Sequence, residues 1–265
     1  MDALTQFKQA QKEGWKHFAP LEAITTPAAA RLVHFAGVIK GHRVLDVGCG
    51  TGVVAVTAAR AGAHVDAIDL TPELLEVARE NAAIAQVNIK FLEADVEELP
   101  FSDAAFDVVL SQFAHMFAPR PEVAVSEMLR VLRPGGTIAF ATWPPELLVG
   151  RTMQVSARYM PPPPPGIASP VEWGDPQVIT QRLGNAVTDI TFDGYTLMIP
   201  VLSPQHFRAN VERSAGPIIK MVQALSQTQP GRLQAFRREF ESVVSEYLEN
   251  NQVRQDYLVT RARKR

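Results

Sequence analysis

The 265-residue chain predicts an α/β fold built on an open, mostly parallel sheet with helices on both faces. Three observations lead there. The run Val44-Leu45-Asp46-Val47-Gly48-Cys49-Gly50-Thr51-Gly52 reads as a buried strand that ends in an acid and turns, through three alternate glycines, into a helix opening Val53-Val54-Ala55-Val56. Strand-like and helix-like segments then alternate as far as 142, the pattern of parallel βαβ units. Finally, carboxylates recur where strands should end, at Asp46, Asp69 and Asp95, and an open parallel sheet binds its ligands beyond those ends.

The elements follow in order. Residues 1–40 read as helices preceding the sheet, with Thr26-Pro27 as a cap and first-turn proline, Leu32, Val33, Phe35 and Val38 as the apolar positions, and Gly41 as the stop. Strands are expected over 42–47, 64–69, 89–92, 106–111 and 137–142. Between them, Thr71-Pro72 opens a helix over 72–85 with Glu73 and Glu76 in its first turns. A second helix covers 121–132 and is stopped by Arg133-Pro134-Gly135-Gly136. Beyond Trp143 the alternation breaks. Residues 144–176 contain five consecutive prolines, Pro161 to Pro165, too stiff for a helix interior or a central strand. A short helix over 175–183, a strand or hairpin over 187–201 around Asp193-Gly194, an amphipathic helix over 233–250 and a last strand over 257–260 complete the chain. The organisation is one structural domain in three stretches: N-terminal helices (1–40), a ligand-binding core (41–143) and a remainder carrying substrate-covering insertions (144–265).

Composition excludes several classes. Hydrophobic content of 46% and charged content of 20% are those of a globular protein with an ordinary core. A net charge of −2 provides no field for nucleic acid or an anionic membrane, so neither is expected as a partner. Cys49 is the single cysteine, which rules out an intramolecular disulfide and a thiolate metal cage. No apolar run approaches the roughly 18 residues of a membrane span, and the first residues lack a signal-peptide core. These features point to a cytoplasmic protein. The closing Arg261, Arg263, Lys264 and Arg265 read as a solvated tail.

The glycine turn brings a ligand against bare backbone and a helix N-terminus. A dinucleotide fingerprint would need a third glycine where Val53 stands, which argues against NAD or FAD. Asp46-Val47-Gly48-Cys49-Gly50-Thr51-Gly52, Asp69, Ala94-Asp95-Val96 and Leu132-Arg133-Pro134-Gly135-Gly136 resemble, in order and spacing, the successive motifs of class I S-adenosylmethionine (SAM)-dependent methyltransferases. Glu98-Leu99-Pro100-Phe101 with Phe106-Asp107-Val108-Val109 is similar to the subgroup of quinone-biosynthesis C-methyltransferases. The resemblance spans about 42–143.

That resemblance implies a Rossmann-like, seven-stranded sheet whose last strand runs antiparallel between its neighbours. It also implies methyl transfer from SAM to a small organic acceptor. A SAM-binding protein of the same fold without turnover, or an NAD-dependent oxidoreductase, are the alternatives. In the methyltransferase reading the Gly48-Cys49-Gly50 backbone lies against the methionine moiety and Asp46 organises its ammonium. The Asp69 carboxylate accepts the ribose hydroxyls. Asp95 accepts from the adenine amino group, the Val96 N–H donates to a ring nitrogen, and Leu70 covers the base. Gln112 joins them from the end of strand four. Trp15 either folds over the cofactor or packs. Cys49 is a small packing residue in the turn, not a nucleophile. The acceptor belongs beside Ser111-Gln112-Phe113-Ala114-His115-Met116-Phe117, where His115 is the candidate base because its ordinary pKa lies near neutrality, or else lines or underlies the pocket. Met116, Phe113, Phe117 and Trp143 shape an apolar pocket or are plain core. Residues 144–176 and 202–250 should wall that pocket, the second as a helical lid.

Overall fold

The computed structural model describes residues 3–265; Met1 and Asp2 of the predicted helical stretch lie outside it. Two helices come first, α1 (Ala3–Trp15) and α2 (Glu22–Phe35). The core alternates β1 (Arg43–Val47), α3 (Val53–Arg60), β2 (His64–Asp69), α4 (Pro72–Ile84), β3 (Ile89–Glu93), β4 (Phe106–Gln112), α5 (Pro121–Val131) and β5 (Leu132–Thr142). Then come α6 (Leu148–Ala157), α7 (Pro176–Leu183) and β6 (Val187–Pro200). A run of three helices, α8 (Pro204–Ser214), α9 (Gly216–Thr228) and α10 (Pro230–Ser245), leads to β7 (Leu248–Glu249) and β8 (Gln252–Lys264).

The sheet order is β3-β2-β1-β4-β5-β8-β6, with the two-residue β7 attached to β8. Strands β1 to β5 pair in parallel. β8 runs antiparallel between β5 and β6, as the resemblance implied. On one face α2 and α3 bury Leu32, Val54 and Ala55 against Val44, Val108 and Leu110. On the other, Met128 of α5, Trp173 and Ile179 of α7 pack over Val109, Ile138 and Phe140. Burying each such large side chain contributes about 1.5–3 kcal/mol.

Several expectations fail for local reasons. Pro27 sits inside α2, which starts at Glu22 and ends before Gly37, so Thr26 is no cap and Gly41 no stop; in the second turn Pro27 leaves the Ala23 carbonyl without its helical donor. Pro72 does open α4, but the Thr71 hydroxyl makes no capping bond. α5 ends at Val131, close to its predicted stop, but Arg133 to Gly136 are themselves part of β5, whose ladder with β4 shifts register between Phe106 and Val108. β6 continues through Asp193-Gly194 without a hairpin, because β8 pairs along its whole length. The amphipathic helix over 233–250 is α10, which starts at Pro230 and ends at Ser245. The basic cluster is not a tail: Arg261 to Lys264 are strand residues of β8, with Arg261 donating to the Phe35 carbonyl and Lys264 to that of Leu132.

The β6–β8 ladder continues six register positions past Thr142, the last residue of β5, from Tyr195↔Tyr257 to Pro200↔Gln252. It therefore stands above the carboxyl edge of the parallel strands. Among the described residues no helix is long and apolar enough to cross a membrane.

Candidate active site

The β1–α3 turn is shaped by its glycines. Gly48, Gly50 and Gly52 have φ of 67°, 54° and 84°, the left-handed region that L side chains avoid. At Gly48 the demand is also steric: a Cβ there would stand 2.4 Å from the Ala114 Cβ. The loop after β4 is thus pressed directly against the turn, so the two predicted halves of the site touch through these two residues.

Asp46, at the end of β1, is 1% exposed, and neither carboxylate oxygen has a full hydrogen-bond partner among the described residues, the Ala55 backbone N–H being the nearest donor that acts on it. Burial first, with the Asp69 charge adding to it, pushes its carboxyl up to about 7. A buried carboxylate without a partner is costly, and one beside bare glycine backbone fits a cationic ligand group. Asp69 serves the turn itself: its Oδ2 accepts from the Gly50 N–H at 2.8 Å and its Oδ1 from the Thr71 N–H at 2.9 Å. Each oxygen keeps a further lone pair. The Ala94 N–H donates to the Asp69 carbonyl at 3.1 Å, which carries the edge on to Asp95 and Val96. Burial raises the Asp69 carboxyl too. It pushes the Cys49 thiol well up, consistent with a packing residue. Leu70 is half-buried beside this edge. Gln112 donates through Nε2 to the Thr25 carbonyl at 3.0 Å, and its Oε1 is buried without a partner.

The N-terminal helix lies across this edge. Lys8 Nζ reaches Asp95 Oδ2 at 2.6 Å and Glu97 Oε2 at 2.5 Å, and Lys12 pairs with Glu93. Trp15 meets Phe117 edge-on with centroids 4.8 Å apart, and a Cβ on Gly50 would meet the Phe18 ring at 3.9 Å. The side chain of Glu97 is almost fully buried and also receives the backbone N–H of Arg120 at 2.7 Å and its Nε at 2.8 Å. Sequence reasoning missed Glu97 and Lys8. The signal existed: Glu93, Asp95 and Glu97 alternate, while Lys8 and Lys12 are one helical turn apart.

His115 is placed away from this group. It is 2% exposed, its ring centroid 4.5 Å from that of Phe140 and 4.6 Å from that of Trp173, and neither ring nitrogen has a partner among the described residues. Burial first, then the positive charge of Arg182, pushes it down to about 3. Phe140 pairs with Thr260, an odd number of positions from Tyr257, so the His115 cluster and Tyr257 lie on opposite faces of the sheet. The expectation of a neutral-range base at His115 therefore meets an imidazole packed under the loop.

The other aromatic group occupies the carboxyl edge. Phe113, whose φ of 56° is rare for a bulky residue, stacks on Trp143 with centroids 3.8 Å apart and planes 10° apart. Tyr257 stands edge-on to Phe113 at 5.4 Å and lies 6.2 Å from Trp143. Of the later helices, α6 packs on β8 and on α10, α10 on α8 and α9, and α9 on α1. Gly14 of α1 meets Gly216 of α9 backbone to backbone.

A turn that presents backbone to a ligand, a buried acid and acids at successive strand ends are the arrangement that a nucleotide-type cofactor requires. The methyltransferase domain family matches residues 45–140. An uncharacterised protein of Mycobacterium tuberculosis is 36% identical over 244 residues, covering 92% of this chain and 89% of that one. The demethylmenaquinone methyltransferase of Clavibacter sepedonicus is 39% identical over 115 residues, 43% of this chain and 46% of that enzyme. The solved structure of the YcgJ protein of Bacillus subtilis superposes with a TM-score of 0.60 at 19% identity, over 90% of this chain and 99% of that chain. The chain belongs to the class I SAM-dependent methyltransferases, and its cofactor is SAM.

Proposed function

We propose that this methyltransferase acts on a small, largely apolar organic acceptor held between the Phe113 loop and the cover formed by α6, α8, α9 and α10. The observation that carries this reading is the aromatic group of Phe113, Trp143 and Tyr257, one residue from the Ala114–Gly48 contact with the cofactor turn. The cofactor supplies an activated methyl group on a sulfonium, so transfer is an in-line displacement in which positioning does much of the work. Asp46 balances the ammonium, and the Gly48–Gly50 backbone lets the methionine moiety approach. Asp69 uses its remaining lone pairs on the ribose while it holds Gly50 and Thr71. Asp95 and Val96 meet the adenine, Leu70 covers it, Gln112 reaches in from β4, and Trp15 closes the site from α1. The covering helices exclude water from the transfer.

His115 takes no proton in this reading; its ring supports the loop from below. A net charge of −2 and a covered edge favour a small molecule over a nucleic acid. The test is transfer of a labelled methyl group from SAM in three parallel mixtures: cell-extract metabolites below about 1 kDa, bulk RNA and bulk protein. Label in the metabolite fraction is the expected result. Label confined to RNA or protein would overturn the small-acceptor reading.

A further inference from the structure

The polar group that selects the acceptor is the remaining question at the aromatic edge. Tyr257 is 2% exposed and Gln255, two residues along β8 and on the same face, is 7% exposed. Neither the Tyr257 hydroxyl nor the Gln255 amide makes a hydrogen bond to any described residue. Both polar ends are left open to a molecule bound at this edge. Both belong to the part of the β6–β8 ladder that rises past the end of β5. A third open atom, Gln112 Oε1, lies on the end of β4.

A cation stands next to them. The Arg31 guanidinium lies over the Tyr195 ring at 5.4 Å. Tyr195 pairs with Tyr257 across the ladder, with ring centroids 5.9 Å apart. Arg31 is exposed and makes no ion pair among the described residues, so its charge is open to a ligand. Burial pushes the Tyr257 phenol up to about 12, so at neutral pH it is a hydrogen-bond donor. Flat rings, an open phenol donor and a nearby exposed guanidinium together form a receptor for a flat molecule with an anionic oxygen.

Resting on the small-acceptor reading above, we propose that Tyr257 and Arg31 determine specificity. The acceptor is an aromatic compound carrying an anionic oxygen, as carboxylate or phenolate. Its ring lies against Phe113, and its oxygen receives the Tyr257 hydroxyl with Arg31 as the countercharge. The group to be methylated lies at the other end of the ring, toward Gly48.

The test uses the full chain saturated with S-adenosylhomocysteine and titrates four probes by calorimetry. They are 2-naphthoate, 4-nitrophenolate, octanoate (an aliphatic acid) and benzyl alcohol (a neutral aromatic). The expected result is that one or both aromatic anions bind at least tenfold more tightly than octanoate and benzyl alcohol. Preference for 2-naphthoate would assign a carboxylate, preference for 4-nitrophenolate a phenolate. Tyr257→Phe and Arg31→Met should each weaken that binding about tenfold, the loss expected for one charge-assisted hydrogen bond, while S-adenosylhomocysteine affinity stays within twofold. Equal or tighter binding of octanoate, unchanged affinity in both variants, or no binding of either aromatic anion would overturn the proposal. Octanoate binding would still leave the small-acceptor reading standing, whereas methyl label confined to macromolecules would remove both.

Discussion

The two halves of the proposed site are built on different principles. The cofactor half, from Asp46 to Asp95, is made chiefly of backbone: three left-handed glycines, an acid that fastens two N–H groups, and a strand edge. The acceptor half, around Phe113, Trp143 and Tyr257, is made of side chains contributed by β4, the segment after β5, and β8. A backbone site tolerates few alternatives, because a Cβ or a changed φ reaches the ligand directly. A side-chain site can be re-cut residue by residue. One fold can therefore keep its cofactor while its acceptor varies.

Gly48→Val should have the largest effect, because it strikes where the halves meet. A branched side chain at φ 67°, with its Cβ 2.4 Å from that of Ala114, should abolish SAM binding and lower the thermal midpoint by several degrees. Cys49→Ala should leave both nearly unchanged. Comparable SAM affinity in the two variants, measured by calorimetry, would mean that the turn is not the contact surface.

Asp69→Ala comes next. It strands the Gly50 and Thr71 N–H groups, and losing two hydrogen bonds to a charged group should cost about 3 kcal/mol of stability by denaturant unfolding. SAM affinity should fall about tenfold as well. An unchanged unfolding midpoint would show that Asp69 does not hold the turn, leaving only its ligand role.

The other two predictions are read through pH. His115 has a folded pKa of about 3, below its ordinary 6.5. Below 6.5 the unfolded chain takes up a proton that the folded chain refuses, so stability is present above that value and is lost as pH falls toward 3. His115→Phe, which suits the neighbouring Phe140 and Trp173 rings, should therefore unfold less readily than the parent protein at pH 4 to 5. Identical acid transitions would place His115 in contact with water or an anion. Asp46 behaves in the opposite sense. Its pKa is raised from 3.8 to about 7, so between these values the folded chain keeps a proton that the unfolded chain has lost. Its contribution to stability declines as pH rises through 7. The ionised form is the one that attracts a cation, so SAM should bind more tightly at pH 7.5 than at pH 5.5, by severalfold. Asp46→Asn should flatten that dependence; a profile that survives the substitution would assign it to another group.

The same contrast explains what was legible in the sequence. Strand β2 is found at its predicted limits, because alternate burial and a terminal acid are local signals. The glycine turn was equally plain, since positive φ leaves a mark in residue choice. Asp69 was read as a ligand residue, but its backbone bonds depend on how β2 approaches the turn, and no local pattern encodes that. Pro27 was misplaced because a proline in an early helical turn looks like a first residue. The clustered arginines of β8 looked like a tail because their partners, the Phe35 and Leu132 carbonyls, lie more than a hundred residues away. His115 was singled out by its chemistry and by its place after β4, while its side of the sheet is set by the turn at Phe113. Tyr257 registered only as a strand residue for the same reason: its neighbours come from three distant segments.

The antiparallel insertion of β8 has a consequence for how the molecule is made. β5 and β6 never pair with each other; each finds its partner in residues 252–264. Until those residues leave the ribosome, an eleven-residue strand and a fourteen-residue strand present open edges, the surfaces on which nascent chains stick to one another. A stop codon at position 252 would therefore be far more damaging than the loss of 14 residues suggests. It would leave the β1–β4 core intact but keep its outer half from closing, and the product should appear in inclusion bodies.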